Sequence, residues 1–144
     1  MIGAVASGIE RAMPRPESEH PTELELDILK VLWRESPLPV REVRKRLEAE
    51  ADRPLAHSSV ITMLNIMHRK GYLRRTRRAN SFLFAPEVSE HEVTGGMMQS
   101  LLNKAFDGSA KAMMLNLLNT TDLDAKELAE IRKLIGRKAK EQRP

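Results

Sequence analysis

The sequence predicts a mainly α-helical protein in which one short β-hairpin separates two groups of three helices. Hydrophobic residues make up 41% of the 144 residues but aromatic residues only 3%, so the core must be built from Leu, Ile, Val, Met and Ala. These residues recur at the three- and four-residue spacing that is typical of helices burying one face. Residues 72–86 instead combine β-favouring residues with a polar turn, which is the pattern of two paired strands.

The sequence contains no cysteine and no long apolar run, which excludes several classes of site and argues against a membrane protein. Without cysteine, disulfides, thiolate catalysis and Cys-ligated zinc or copper sites are excluded. No apolar run approaches the roughly 20 residues that span a bilayer, and the N-terminal segment lacks the basic region of a signal peptide. We therefore expect a cytoplasmic protein without membrane insertion. Pro14, Pro16 and weak hydrophobic periodicity predict a disordered tail over residues 1–20, and Met13 is as suitable a start as Met1.

The first helix begins with a capping-box pattern and ends before two prolines. In Thr22-Glu23-Leu24-Glu25 the hydroxyl and the last carboxylate can each satisfy a free backbone N–H, which is typical of a helix start. An apolar stripe then continues to about Arg34, and Pro37 and Pro39 interrupt it. We therefore predict a helix from this box to about Arg34.

Two further helices follow, separated by a break at Arg53 and Pro54. Residues 40–51 form the second helix, with apolar residues on one side and basic residues on the other. Residues 58–70 form the third helix, which ends at Gly71, a residue suited to the left-handed conformation that terminates helices. Most of the circumference of the third helix is apolar, so most of it should be buried.

One strip of the third helix is small and polar. At 100° per residue, Ser58, Thr62 and Asn65 fall within a narrow arc, with Ser59 on its flank. Short hydroxyl and amide side chains let a helix approach a flat surface and hydrogen-bond to it, as reading base edges in a DNA major groove requires. We therefore predict that these four residues read bases. The alternative is an ordinary buried helix whose one solvent-exposed strip is short and polar.

A hairpin follows the third helix. Tyr72 and Leu73 begin its first strand, residues 81–85 form its second strand, and residues 77–80 are predicted as the loop. Three helices followed by a two-stranded hairpin are typical of a winged helix-turn-helix domain, which we predict over residues 21–86.

The third helix and the hairpin carry charge of one sign. From Arg53 to Pro86 the chain has no Asp or Glu, although the whole sequence has 20. A single-sign stretch of this kind is typical of a surface that binds nucleic acid. Double-stranded DNA is therefore the predicted partner. The cations predicted to contact the DNA backbone are Arg69, Lys70, Arg74, Arg75, Arg77 and Arg78.

Residues 87–144 predict three more helices with more apolar surface than they can enclose. A second capping box at Ser89-Glu90-His91-Glu92 opens a helix to about Phe106, residues 109–118 form a short helix, and Asp124 caps the last. We predict a helical dimerisation domain, against the alternative that these helices fold back on the first domain. The predicted interface consists of Met97, Met98, Leu101, Leu102, Met113, Met114, Leu117, Leu118, Leu128, Ile131, Leu134 and Ile135.

Several stretches resemble the penicillinase repressors of the BlaI/MecI type. They are TELELDILKVLW, LAHSSVITMLNIMHRKGYLRR, FLFAPEVSEHE, LLNKAF and DLDAKELAEIRKL. The resemblance covers Pro21 to about Lys138 and implies a homodimer that binds a palindromic operator through its winged-helix domains. It also implies that Ser58, Ser59 and Thr62 contact bases and that the wing arginines meet phosphates.

The chain departs from this family at three places. His57 stands where relatives often have an aromatic residue, and Phe84 where Tyr is common, so the operator sequence is open. In antibiotic-responsive members, a membrane-bound sensor triggers cleavage of an Asn-Phe bond in the dimerisation domain. The matching bond here is Asn116-Leu117, which makes it the candidate cleavage site and a sensor-controlled protease a candidate partner. Copper-responsive relatives use cysteines that this chain lacks.

The leading hypothesis is a dimeric repressor that occludes a promoter at a palindromic operator. The alternative is a winged-helix regulator controlled by a small-molecule or metal effector. An enzyme is the third hypothesis, and a wing that binds a protein instead of DNA is a minor fourth possibility. No two of the four histidines have the spacing of helical ligands, so no metal site is predicted. The chain has no GxSxG, P-loop, HExxH or Rossmann pattern, so we predict no enzyme, no catalytic residue and no cofactor.

Overall fold

The computed structural model describes residues 20–142 and has the predicted mainly α-helical fold with a β-hairpin. The elements are α1 (Glu23–Arg34), β1 (Leu38–Pro39), α2 (Val40–Ala51), α3 (His57–Lys70), β2 (Leu73–Arg78), β3 (Ser81–Pro86), α4 (Glu90–Phe106), α5 (Ala110–Thr120) and α6 (Ala125–Glu141). The order of α1 to α3 and the two wing strands confirms the winged helix-turn-helix prediction. The disordered tail predicted over residues 1–20 lies outside the described residues, except for His20.

The wing belongs to a three-stranded antiparallel sheet in the order β1-β3-β2. Strand β1 has two residues, too few for a periodic signal in the sequence, and pairs with β3. The prediction of a loop over residues 77–80 is wrong, because Arg77 and Arg78 both pair with β3. The turn tightens to Ala79 and Asn80, and Ala79 has a φ of 54°, the left-handed conformation that two-residue hairpin turns require.

Both predicted capping boxes are present. The Thr22 hydroxyl accepts from the Glu25 N–H at 3.2 Å, and the Glu25 carboxylate accepts from the Thr22 N–H at 2.9 Å. Ser89 and Glu92 make the same exchange at the start of α4, at 2.9 and 3.0 Å. The hydrogen bonds from the Ser89 backbone and side chain lower the pKa of Glu92. Each box satisfies backbone N–H groups that a helix start leaves without partners.

One face of α3 anchors it in the hydrophobic core. Val60, Leu64 and Met67 are fully buried, with 0% of their surface exposed, and their spacing places them on one side of the helix. The other buried members of this core are Ile28, Leu29, Val31, Leu32, Leu38, Val43, Leu47, Leu73, Phe84 and Val93. Because this face is fixed in the core, the opposite face of α3 must point to solvent.

A nearly buried ion pair joins the start of α1 to the end of α3. The Glu25 carboxylate, 2% exposed, accepts a hydrogen bond from the Lys70 ammonium, 16% exposed, at 2.7 Å. Its other oxygen is occupied by the Thr22 N–H of the capping box. Both charges are removed from water, so each depends on the other, and the pair fixes the end of α3 against α1.

The chain divides into two compact units between Met98 and Gln99, inside α4. Val93 is buried and Met97 half-buried against the core of the first unit. The domain boundary that we placed after Pro86 stays a prediction. In the second unit, no residue from 99 to 142 is buried. None of the helices between residues 20 and 142 has both the length and the apolar character needed to span a membrane.

The ion pair predicts that Lys70→Met destabilises the protein. The substitution keeps the apolar stem but leaves the Glu25 carboxylate in the core without its cation, which should lower the free energy of unfolding by about 3 kcal/mol. Urea unfolding at one fixed protein concentration measures the change. Lys45→Met is the matched control, because Lys45 is 70% exposed and lies 3.8 Å from Glu42; its effect should stay within about 0.5 kcal/mol. Equal losses in the two variants would contradict a structural role for the buried pair.

Candidate nucleic-acid interface

The solvent-facing side of α3 carries the polar strip that the sequence indicates. Ser58, Ser59 and Thr62 are exposed and Asn65 is half-buried. Ile61 is 36% exposed and lies between them on the same face, three residues after Ser58 and four before Asn65. From its apolar circumference we expected most of α3 to be buried, and Ile61 is an exception that its spacing from Ser58 and Asn65 indicates. The exposed face therefore presents four polar side chains and one branched apolar side chain.

The N-terminus of α3 is open to an anion. Its N-cap residue, Ala56, makes no side-chain capping hydrogen bond, and the first turn contains no acidic residue. The first backbone N–H groups of a helix lack intrahelical acceptors and carry partial positive charge. This end lies beside Ser58 and Ser59, so phosphate oxygens would be favoured next to the polar strip.

The wing presents its arginines on two faces. Because residues alternate along a strand, Arg75 and Arg77 share the face of Leu73, while Arg74 and Arg78 lie on the other. The guanidinium carbons of Arg75 and Arg77 lie 4.5 and 5.6 Å from the centre of the Phe82 ring, within cation–π distance. Phe82 lies directly opposite Arg77 in the register of β2 and β3.

Two of these arginines also hydrogen-bond to neighbouring groups. Arg74 donates to the Pro86 carbonyl at 2.9 Å and lies 3.5 Å from the Glu87 carboxylate, at the base of the wing. Arg75 donates to the side-chain oxygen of Asn65 at 2.8 Å, which connects the wing to α3. The side chains of Arg69 and Arg78 are exposed and, within residues 20–142, pair with no other side chain.

Lys70 departs from the predicted set of phosphate contacts. Its ammonium is held by the buried Glu25 carboxylate at 2.7 Å and is directed toward α1. Moving it to a phosphate would leave Glu25 buried without a cation, which is costly. The structure therefore places Lys70 in the support of α3 and away from the exposed strip.

Two titratable groups behind the strip have shifted pKa values. Burial, and then the positive charge of Arg75, lower the pKa of His68 below its usual 6.5. The lowered pKa favours the neutral form of His68. Burial, and then the charge of Glu25, raise the pKa of Tyr72. The first cause is the same in both cases, partial burial beside the end of α3, and the second differs: Arg75 of the wing for His68 and Glu25 of α1 for Tyr72.

The residues predicted for the dimer interface differ sharply in exposure. Met97 packs against the first unit, and Leu102 and Met113 are half-buried. The other predicted residues, 36–60% exposed, are Met98, Leu101, Met114, Leu117, Leu118, Leu128, Ile131, Leu134 and Ile135. Sequence reasoning missed Leu115, which is 51% exposed. Such a density of exposed large apolar side chains indicates an interaction surface.

The candidate cleavage site lies inside α5. Asn116 and Leu117 are both exposed, and Leu117 is 56% exposed. The Asn116 carbonyl accepts from the Thr120 hydroxyl at 2.8 Å, and the Leu117 carbonyl accepts from the Thr121 N–H at 3.1 Å. The bond between them is thus part of a regular helix. Elsewhere in the described part of the chain, no three His, Cys, Asp or Glu side chains gather as a metal site would require.

A three-helix domain whose last helix exposes a polar strip beside a basic hairpin is a winged-helix DNA-binding domain. The chain belongs to the penicillinase repressor family, whose model matches residues 21–137. This match confirms the resemblance seen in the sequence. The family is one of DNA-binding transcriptional repressors, and it is not a family of enzymes.

Individual relatives are distant but match most of the chain. The penicillinase repressor of Bacillus licheniformis is 26% identical over 114 residues, covering 79% of this chain and 88% of that protein. The transcriptional regulator BlaI of Mycobacterium tuberculosis is 30% identical, covering 71% of this chain and 74% of that protein. Among solved structures, wild-type MarR from E. coli in its apo form has a TM-score of 0.46 and 17% identity, covering 81% of this chain and 76% of that chain.

Proposed function

We propose that the chain is a dimeric, sequence-specific repressor that acts in the cytoplasm and occludes a promoter at a palindromic operator. The observation that carries the proposal is the exposed polar strip of α3 beside a wing without acidic residues. A helix with this surface fits the major groove, and the wing then lies over the flanking backbone. Occupying a promoter in this way requires no catalytic group.

The surface of the second unit supports dimerisation. Its three helical segments bury no residue between 99 and 142, and they expose large apolar side chains along α5 and α6. Helices stabilised mainly by tertiary contacts need a partner surface when their own protomer offers none. A second copy of the chain supplies the same surface through two-fold symmetry, which would place two α3 helices on two DNA half-sites related by that symmetry. A palindromic operator follows from this arrangement.

The exposed strip divides base reading among polar and apolar contacts. Ser58, Ser59, Thr62 and Asn65 supply hydrogen-bonding groups for base edges. Ile61 adds an apolar contact, for which the thymine methyl group is the matching feature of the major groove. The combination predicts an operator half-site that contains thymine next to a base pair read by Thr62.

We assign the contacts to the DNA backbone to fewer cations than the sequence indicated. Arg69, Arg77 and Arg78 are exposed and reach phosphates on either side of the groove. Arg74 strengthens the base of the wing, where its charge is partly offset by Glu87. Lys70 supports α3 through Glu25 and is left out of the phosphate contacts.

Release by proteolysis at Asn116-Leu117 is the mode of induction that we assign to the chain. The bond is on an exposed helix, so a protease needs α5 to open locally before it can bind the chain in an extended form. Within the protomer, opening disrupts few contacts because α5 buries none of its residues. Cutting there would detach α6 and half of the apolar surface from the DNA-binding unit.

The assignment of base contacts to α3 and phosphate contacts to the wing predicts different effects for two alanine substitutions. Thr62→Ala should lower affinity for the preferred duplex about tenfold and leave affinity for a shuffled duplex unchanged. Arg77→Ala should weaken both duplexes equally and reduce the slope of log affinity against log salt by about 0.9 per protomer. Fluorescence anisotropy with a duplex selected by the wild-type protein from a randomised library measures both effects. The division is wrong if both variants lose specific and non-specific affinity in the same ratio.

The dimer predicts that one charge on the apolar face of α6 separates the protomers. Ile131→Glu places a carboxylate on the face shared with Leu128 and Ile135, so the protein should sediment as a monomer of 16.3 kDa. Ala129→Glu adds the same charge to the opposite side of α6 and should remain a dimer. Sedimentation equilibrium of both variants makes the comparison. A wild-type monomer, or a dimer that survives Ile131→Glu, would exclude this face as the interface.

A further inference from the structure

Arg75 is held from two sides in the free protein. Its guanidinium carbon lies 4.5 Å from the centre of the Phe82 ring, and it donates a hydrogen bond of 2.8 Å to Asn65. Its charge also contributes to the lowered pKa of His68, which follows Asn65 by three residues on α3. The ring and the amide therefore hold the Arg75 side chain in one position, beside Asn65 of α3.

The chemistry of this contact fixes the orientation of the Asn65 amide. An arginine guanidinium has N–H donors and no acceptor, so the Asn65 atom that faces it must be the oxygen. The amide nitrogen, with its two hydrogens, is then the group left to face a ligand. Asparagine usually reads adenine by presenting its oxygen and nitrogen together to N6 and N7. The Asn65 oxygen has two lone pairs; one is occupied by Arg75 and the oxygen is turned toward the wing, which weakens that two-point contact with adenine.

We infer that Arg75 is a positioning residue for base reading and makes no phosphate contact of its own. By holding the oxygen of Asn65, it turns the amide donors toward the groove and selects a base edge with acceptors only. Thymine presents one acceptor, O4, beside its methyl group, whereas guanine presents two, N7 and O6, and so matches the two amide hydrogens best. The inference rests on the proposed DNA-binding role of α3 and adds a specificity rule to it: the base opposite Asn65 is guanine because of Arg75.

Phe82 supports the Arg75 side chain in the position from which it contacts Asn65. Arg77 lies opposite Phe82 in the strand register, and Arg75 lies diagonally across from it, so the ring supports both side chains. Arg77 is farther from the ring, at 5.6 Å, and makes no hydrogen bond to α3 among the described residues. The two arginines thus form a matched pair with one difference, the contact to Asn65.

The test compares Arg75→Met with Arg77→Met in the full chain. Each substitution removes one charge and keeps an unbranched stem over Phe82. Selection from a randomised duplex library defines the wild-type half-site, and Asn65→Ala identifies the base pair at which preference is lost. At that pair the wild type should prefer guanine over adenine by about tenfold. Arg75→Met should shift this preference toward adenine, and Arg77→Met should retain it.

The salt dependence provides the second readout on a shuffled duplex. Arg77→Met should reduce the slope of log affinity against log salt by about 0.9 per protomer, and Arg75→Met should leave the slope unchanged. Arg75→Lys, which retains the charge and a donor, should restore the guanine preference. An unchanged base preference with a reduced slope in Arg75→Met would overturn the inference, because that is the behaviour of a phosphate contact.

An NMR titration of the free protein separates this inference from the proposed function. In Arg75→Met the pKa of His68 should rise, because a nearby positive charge is lost, and in Arg77→Met it should not change. Equal His68 pKa values in Arg75→Met and the wild type would overturn the placement of Arg75, whatever the protein does with DNA. A wild-type protein that selects no sequence from the library would instead overturn the proposed function, and the specificity rule with it.

Discussion

The surface that this protein offers to DNA depends on the burial of one face of α3. Val60, Leu64 and Met67 are completely removed from solvent, so the helix cannot rotate without exposing them. The ion pair between Glu25 and Lys70 fixes the far end of the same helix against α1. With orientation and end both fixed, the helix presents its small polar side chains on the opposite face. Under the proposed function, the helix backbone then needs little ordering on binding DNA.

The second unit differs from α3 because none of its residues between 99 and 142 is buried, although Leu102 and Met113 are half-buried. Its helices are well capped, with a box at Asp124 and Glu127, but local capping contributes only about 1 kcal/mol per helix end. Most helix stability in proteins comes from packing of an apolar face. Under the proposed function a second copy of the chain supplies the surface for this packing, which would couple repression to assembly.

Local signals in the sequence predicted the elements, and long-range partners decided the details. The capping boxes at Thr22 and Ser89 and the apolar periodicity located helices, since both act within a few residues. The inward direction of Lys70 could not be predicted, because its partner Glu25 is 45 residues away. The contact between Arg75 and Asn65 similarly depends on how the wing folds over α3. The spacing of Ile61 from Ser58 and Asn65 indicated that it is exposed, whereas its apolar character favoured burial.

The proposed function requires that α3 of a dimer reads DNA. A fluorescence anisotropy titration of the full chain tests this most directly, with a labelled duplex from its own upstream region and a shuffled duplex, at several salt concentrations. The proposed function predicts two protomers per duplex and a preference for the upstream duplex. It also predicts that log affinity falls against log salt by about 0.9 per phosphate contact. Absence of binding to either duplex would contradict it, since the surface without acidic residues would then serve another partner.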